Sequence, residues 1–259
     1  MASKQLKVLM FGWEFPPEIS GGLGTACYGL TSGLIANNID VLFVVPKLFG
    51  TEETDKFRLI DAGTVDVNFQ SDYFTENLKK VSYLQIHSHI VPYVSPEEFM
   101  KRQEFDIESL KVDSTFSTAK FSFDGKYGRN LLTEVSKYAA VAMQVAKDND
   151  IDIIHAHDWL TFPAAIMAKE VSGKPLVVHI HATEFDRSGD NVNQEVYEME
   201  KRGCEVADRI ICVSRLTRRI LISRYGIEPS KIVVVHNAVI PKPVEYYPKE
   251  NLIDKKIVT

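Results

Sequence analysis

The sequence predicts an α/β fold: a Rossmann-like, doubly wound parallel sheet with helices on both faces. Three observations carry this expectation. Several short runs, among them "KVLMFGW", "DVLFVVP" and "PLVVHIH", are apolar over most of their length, as strands buried on both faces of a parallel sheet are. Between them lie longer segments whose apolar residues recur at helical spacing, the mark of helices packed by one face. The two kinds alternate, as repeated strand-helix-strand units do.

Taken in order, Lys7 to Trp13 reads as a strand, "GLTSGLIANN" as a helix and Asp40 to Pro46 as a second strand. From Leu48 to Lys126 the alternation stops. This stretch is read as an insertion after the second strand, with "RLIDAGTVDVNF" and "VSYLQIHSHIVPYV" as a β-ribbon. Within it, Phe99 to Lys126 holds few apolar residues and is expected to be weakly ordered, because little burial offsets the entropy of ordering. After Tyr127 the pattern returns: helix "NLLTEVSKYAAVAMQVAKDN", strand "IDIIHAH", helix "FPAAIMAKEVSG" and strand "PLVVHIH". A helix ending near Ala207, strand "RIICVS", helix "RLTRRILISRYG" and strand "KIVVVHN" complete it. One domain over residues 1–240, insertion 48–126 included, is therefore expected. Residues 241–259, rich in Pro and charge, read as a linker running into the start of a second domain that this chain does not contain.

With 259 residues, 45% hydrophobic and 25% charged, the chain can bury a full core, and no apolar run is long enough to span a bilayer. A net charge of −5 argues against a nucleic-acid surface, which wants a clustered basic face. The basic "SRLTRRILISRYG" is read as a solvated helix face. Cys27, Cys204 and Cys212 are odd in number and lack CxxC spacing, and the short polar stretch before Lys7 is no signal peptide; a cytoplasmic location is expected.

The stretch "GWEFPPEISGGLGTACYGL" joins the first strand to the first helix through Gly21 and Gly22. A helix N-terminus at the end of a parallel strand offers free N–H groups to an anion. The turn is not a P-loop, since no Gly-Lys-Ser/Thr follows. It also departs from the dinucleotide fingerprint, with Cys27 where Gly or Ala belongs. Residues alone leave two readings: a phosphate-binding turn, or glycines that permit a tight turn and close packing.

"HAHDW" and "HIHATEFDR" stand at the carboxyl ends of two predicted strands, with His155 and His157 on one face, and His179 and His181 likewise. A lone strand histidine is usually a packed core residue. Two pairs together, with Asp158 and Glu184, point to a site. One reading is a metal hydrolase using the HxH pairs, although its H-x-H-x-D-H pattern needs Asp at Trp159 and His at Leu160. The other is a nucleotide-sugar site, in which glycine amides hold a diphosphate while His and Asp hold sugar hydroxyls.

"FPPEISGGLG", "IIHAHDW", "HIHATEFD", "ADRIICVS" and "IVVVHNAV", in this order, resemble the N-terminal domain of retaining GT-B glycosyltransferases of families 4 and 5, the group of glycogen and starch synthases. The resemblance covers nearly the whole chain apart from the insertion. It implies the N-terminal half of a GT-B fold and transfer of a hexose, glucose foremost, from UDP- or ADP-glucose or a related nucleotide sugar to a glycan acceptor. No other cofactor and no metal are implied. By the same resemblance Gly21 and Gly22 match the pair lying against the donor diphosphate, and Asp158 the acid near the reacting sugars. His181 matches the histidine that contacts the donor sugar, and Asn237 an Asn of the same cleft. His181 and Asp158 are thus the catalytic candidates; His157, Trp159 and Glu184 are possible cleft residues. Ile19, Leu160 and Ala238 replace the Lys, His and Gly of glycogen synthases and leave donor and acceptor open. The family's main cations and a pair of glutamates belong to the C-terminal domain, so the chain alone is expected to be an inactive half-site. A non-catalytic glycan-binding relative is the remaining alternative.

Overall fold

The computed structural model describes residues 5–17, 21–53, 55–68, 118–127 and 131–238. The expected strand "VSYLQIHSHIVPYV", most of Phe99 to Lys126, Ile19 and the linker 241–259 lie outside them. Among the described residues the main sheet has seven strands, all parallel, in the order β3-β2-β1-β6-β7-β8-β9. The strands are β1 (Lys7–Phe11), β2 (Asp40–Val45), β3 (Arg58–Asp61), β6 (Ile153–His157), β7 (Leu176–Ile180), β8 (Arg209–Cys212) and β9 (Ile232–Val234). The helices are α1 (Gly22–Ala36), α2 (Leu131–Asp148), α3 (Phe162–Ser172), α4 (Glu184–Ser188), α5 (Gln194–Val206) and α6 (Arg215–Ser223).

The insertion differs from expectation at its start. "RLID" is not half of a ribbon: it pairs in parallel with β2, Leu42 opposite Arg58 and Val45 opposite Asp61, and forms the sheet's edge. An edge strand is only partly buried, so its pattern alternates like that of a ribbon. The antiparallel ribbon is the short pair β4 (Val67–Asn68) and β5 (Thr118–Ala119), and the adjoining Val67, Phe121 and Phe123 are buried in the main core.

Alternation along each strand assigns the two faces. Val8, Met10, Val41, Phe43 and Val45 pack with Cys27 and Leu23 of α1 on one face. Leu9, Phe11, Leu42, Val44, Ile154, Ala156, Val178 and Ile210 pack with α2, α3, α5 and α6 on the other. The helices start and stop where local chemistry dictates. Asn193 accepts from the Glu195 and Val196 N–H groups, and Ser214 from that of Thr217, satisfying first-turn donors of α5 and α6. Gly173, at φ 66°, ends α3 in the left-handed conformation that glycine adopts without strain. Tyr138 of α2 reaches across the core, its hydroxyl donating to the carbonyls of Val44 (2.7 Å) and Gly12 (3.1 Å). Its ring meets Phe11 and Trp13 edge-on. The carboxyl ends of β1 and β2 are thereby tied to the helical layer beneath them. No described helix is long and apolar enough to cross a membrane.

Gly203 brings α5 against α3: a Cβ there would lie 2.3 Å from Phe162 Cδ2. Helix propensity alone would favour Gly203→Ala by about 1 kcal/mol, but overpacking a core typically costs about 1–3 kcal/mol. Because the clash is with a fully buried ring, the variant is expected to be net destabilised in urea unfolding; a neutral or stabilised Gly203→Ala would refute this account of the α3–α5 contact.

Candidate active site

The sheet order reverses at the β1–β6 pair. From β1 the chain moves outward through β2 to β3, whereas from β6 it moves the other way through β7 to β9. Such a switch point leaves a crevice outside the carboxyl ends of the strands, where α/β proteins bind ligands. The glycine turn after β1, Asp158 after β6 and His181 after β7 all lie at that edge.

The two glycines have different reasons. Gly21 is the N-cap of α1, with extended backbone and no side-chain cap. A Cβ on it would sit 3.0 Å from Glu14 Oε2. Glu14 is buried; it accepts the Gly24 N–H at 3.3 Å and a short hydrogen bond from the Tyr127 hydroxyl. Among the described residues nothing lies within 4 Å of a Cβ placed on Gly22, so none of them closes that side of the turn. The N–H groups of Gly22 and Leu23, in the first turn of α1, have no acceptor within the helix. Sequence reasoning missed Glu14 and Tyr127. "WEFPP" stood inside the quoted motif, but only folding brings its acid onto a helix terminus.

The histidines assemble into one stack. His155 and His157 alternate with Ile154 and Ala156, so they point to the α1 face, as does His179. Ring centroids of His155 and His157 are 4.6 Å apart, those of His155 and His179 5.5 Å, and those of His179 and His181 4.3 Å. His157 Nδ1 and His181 Nε2 lie 3.0 Å apart and share one proton, which couples their tautomers. On the α1 side, the sulfur of Cys27 and ring nitrogens of His157 and His181 lie within 4.8 Å of one another. Only His181 reaches the surface; His155, His157 and His179 are 7%, 0% and 6% exposed. Burial lowers all four pKa values, to about 4 for His155 and His181, to about 2 for His179, and well below the usual range for His157. The stack is therefore neutral at pH 7, and His181 presents an uncharged imidazole to the crevice. Its tie to His157 makes His181 a partly structural residue as well as a cleft candidate.

Asp158 has φ 57° and ψ 170°, a region that costs a non-glycine residue on the order of 1–3 kcal/mol. Its carboxylate accepts the His181 N–H at 2.7 Å and its N–H donates to the His179 carbonyl at 3.0 Å. Asp158 is 9% exposed, and burial lifts its carboxyl to about 7 against the pull of the His181 and Ala182 amides and of Arg187. The acid thus braces the main chain of His181.

The other expected residues are placed as follows. Glu184 faces inward: its carboxylate takes Ser188 Oγ (2.8 Å), the Asn193 N–H (3.0 Å) and Arg187 Nε (3.2 Å), closing the turn between α4 and α5. Trp159 is partly buried against the main core. Asn237 is exposed beyond the edge strand β9, two strands from β7. A residue not foreseen, Glu200 of α5, is 1% exposed. It accepts the Glu184 N–H at 2.9 Å and short bonds from Arg187 and Tyr225, locking the loop that carries His181.

Residues 117–242 match the family model described as Glycosyltransferase Family 4. The chain is 25% identical over 239 residues to an uncharacterized glycosyltransferase of Methanocaldococcus jannaschii, covering 91% of this chain and 47% of that protein. It is 24% identical over 238 residues to a glycogen synthase of Mycobacterium tuberculosis, covering 90% and 48%. Among solved structures, the sucrose-phosphate synthase of Thermosynechococcus elongatus superposes with a TM-score of 0.54 at 12% identity, over 90% of this chain and 48% of that one. The chain spans about half the length of the curated relatives it matches.

The buried stack sets the response to acid. Unfolded, each imidazole takes a proton as pH falls through 6.5; folded, His155 and His181 resist to about 4 and His179 to about 2. In that window the unfolded chain binds more protons, so stability falls on acidification, by on the order of 1.4 kcal/mol per pH unit for each such histidine. Asp158 acts oppositely: raised from 3.8 to about 7, it is protonated in the fold first and favours the folded state as pH falls. Four histidines outweigh one aspartate. Urea unfolding is expected to show a clear stability loss between about pH 7 and about pH 5, with a shallower slope in His155→Phe. A flat pH profile would contradict the buried neutral stack.

Proposed function

We propose that this chain is the N-terminal domain of a GT-B glycosyltransferase, and that the whole protein is a retaining enzyme that transfers a hexose, glucose foremost, from a nucleotide sugar to a glycan acceptor; the family 4 match, the glycosyltransferase relatives and the shared fold support this reading. The observation that carries this reading is the meeting of the α1 glycine turn with Asp158 and His181 at the β1–β6–β7 edge. In this reading the remainder of the protein supplies a second domain that holds the nucleobase, and this chain forms the opposite wall of the cleft.

Each group then has a task. The open side of the turn at Gly22 lets the donor diphosphate approach the amides of Gly22 and Leu23 and the positive end of α1. The leaving diphosphate gains charge as the glycosidic bond breaks, so dipoles aimed at it lower the barrier. Glu14 already occupies the Gly24 amide, which restricts the anion to the first two. His181, neutral and surface-reaching, exchanges hydrogen bonds with sugar hydroxyls rather than neutralising charge. Asp158 is a positioning residue, since its carboxylate holds the His181 main chain. Asn237 lies in the same cleft once the second domain closes over it. The assignment favours transfer over hydrolysis at a metal: Asp158 is committed to an amide, so the HxH pairs lack the free carboxylate that hydrolytic metal sites use.

The test is initial-rate kinetics of the full-length protein with UDP-glucose, ADP-glucose and other nucleotide hexoses. His181→Ala should lower kcat on the order of 100-fold, with a stability loss of about 1–3 kcal/mol from the orphaned His157 nitrogen. Asp158→Ala should lower kcat as well, while Asp158→Asn, which keeps an acceptor for the His181 N–H, should restore part of it. Gly22→Val fits the fold sterically and should raise the donor KM with little change in unfolding. Wild-type rates in His181→Ala, or no transfer from any nucleotide hexose, would overturn the reading.

A further inference from the structure

A surface tyrosine ordinarily lays its ring on the protein and leaves its hydroxyl in water. Tyr127 is inverted. Its hydroxyl donates a short hydrogen bond to Glu14 Oε1, and Glu14 is 6% exposed, whereas Tyr127 itself is 55% exposed. With the polar tip held inward, the exposure falls on the ring. A single exposed apolar group is normal on a protein surface, but this one is held at both ends. The main chain just before it is pinned to α2, where the Glu134 carboxylate accepts the Asp124 N–H at 2.8 Å and the Gly125 N–H at 3.2 Å. Gly125 takes φ 69°, and a Cβ on it would lie 3.2 Å from Lys47 Cβ, so only glycine lets the segment pass this close to the end of β2. The hydroxyl end lies at the crevice. The other oxygen of Glu14 accepts the Gly24 N–H in the first turn of α1 at 3.3 Å. Burial, with the carboxylates of Glu14 and Asp158, raises the phenol's pKa, so it stays protonated and donates.

We propose that the outward ring of Tyr127 is a stacking platform for a hexose ring of the acceptor glycan, in a subsite beside the glycine turn; this rests on the transfer reading above. A pyranose carries hydroxyls around its rim and C–H groups on its flat faces. Such a C–H face is complementary to the electron-rich face of an aromatic ring. Tyrosine offers that face at low entropic cost, having only two side-chain torsions. Here Glu14 and Glu134 have already fixed the hydroxyl and the adjoining main chain, so stacking a sugar orders little more. The position favours the acceptor over the donor. The donor diphosphate is assigned to the amides of Gly22 and Leu23, and Glu14 links the next amide, that of Gly24, to the Tyr127 hydroxyl. A carboxylate repels a diphosphate but accepts hydrogen bonds from hydroxyls. The Tyr127 side of the turn therefore suits an uncharged sugar, and the Gly22 side the phosphates.

The experiment titrates the 259-residue chain with maltoheptaose and with cellohexaose, an α-linked and a β-linked glucan, followed by NMR. At least one glucan should bind. Tyr127→Ala should weaken that binding roughly tenfold. Tyr127→Phe loses the same hydrogen bond to Glu14 but keeps the ring, and should bind within about threefold of wild type. Since both variants leave Glu14 without the phenol, their difference isolates the ring from any loss of fold. In the full-length protein Tyr127→Ala should raise the glycan KM roughly tenfold while the donor KM holds. Binding of neither glucan by the wild type, or wild-type binding by Tyr127→Ala, would overturn the platform. Equal weakening in Tyr127→Phe and Tyr127→Ala would overturn stacking in favour of the hydroxyl. Glucan binding that depends on Tyr127, without transfer from any nucleotide hexose, would keep the subsite and remove the transfer reading; transfer with an unchanged glycan KM in Tyr127→Ala would do the reverse.

Discussion

Two adjacent parallel strands, β1 and β6, lead the chain in opposite lateral directions, and most of this molecule follows from that divergence. The chain leaving β1 packs α1 on one face of the sheet, whereas α2, which leads into β6, packs on the other. Crossovers between parallel strands are right-handed, so reversing the direction of travel reverses the face. Among the described residues no connection then bridges the carboxyl ends of β1 and β6. The glycine turn, and His181, whose main chain Asp158 holds, are the groups at that edge that face the crevice.

That edge is held by buried polar groups rather than by apolar packing. Asp158 carries a left-handed backbone and a raised carboxyl pKa, both unfavourable, and both are offset by its grip on the His181 amide. Glu200 is almost wholly buried and is satisfied by an amide, a guanidinium and a phenol. Removing one partner of such a buried charge costs about 3–5 kcal/mol, because the other is left unpaired. These networks therefore specify one arrangement of the β7–α4 loop, and with it the position of His181 at the crevice. The histidine stack is the opposite case. Its rings are neutral and several of its nitrogens lack partners, which makes it the least self-sufficient polar region among the described residues.

Much of this was legible in the sequence. Largely apolar runs separated by helical patterns identified the strands of the parallel sheet other than β3, because burial on both faces leaves little room for polar residues; the buried histidines of β6 and β7 are the exception. Gly21, Gly22, Asp158 and His181 were legible because an α/β sheet puts its site at strand ends, and ends can be counted along a chain. What stayed hidden had a nonlocal cause. β3 reads like a ribbon strand because an edge has one wet side. Glu14 and Tyr127 are 113 residues apart and meet only through the fold. Glu184 carries the same residue type as a cleft acid yet turns inward, since its orientation depends on Ser188, Asn193 and Arg187 around it.

The sequence by itself determined the layers, the strand and helix order and the edge at which chemistry can occur, since each of these follows from local periodicity and the handedness of crossovers. Only the tertiary structure decided which way the polar side chains at that edge point. It made Asp158 a brace for His181, gave Gly21 its close neighbour in Glu14, and packed His155, His157 and His179 into one unpartnered cluster. The reason is physical: a side chain's partner, burial and protonation depend on groups brought from distant parts of the chain, and those distances exist only once the sheet has formed.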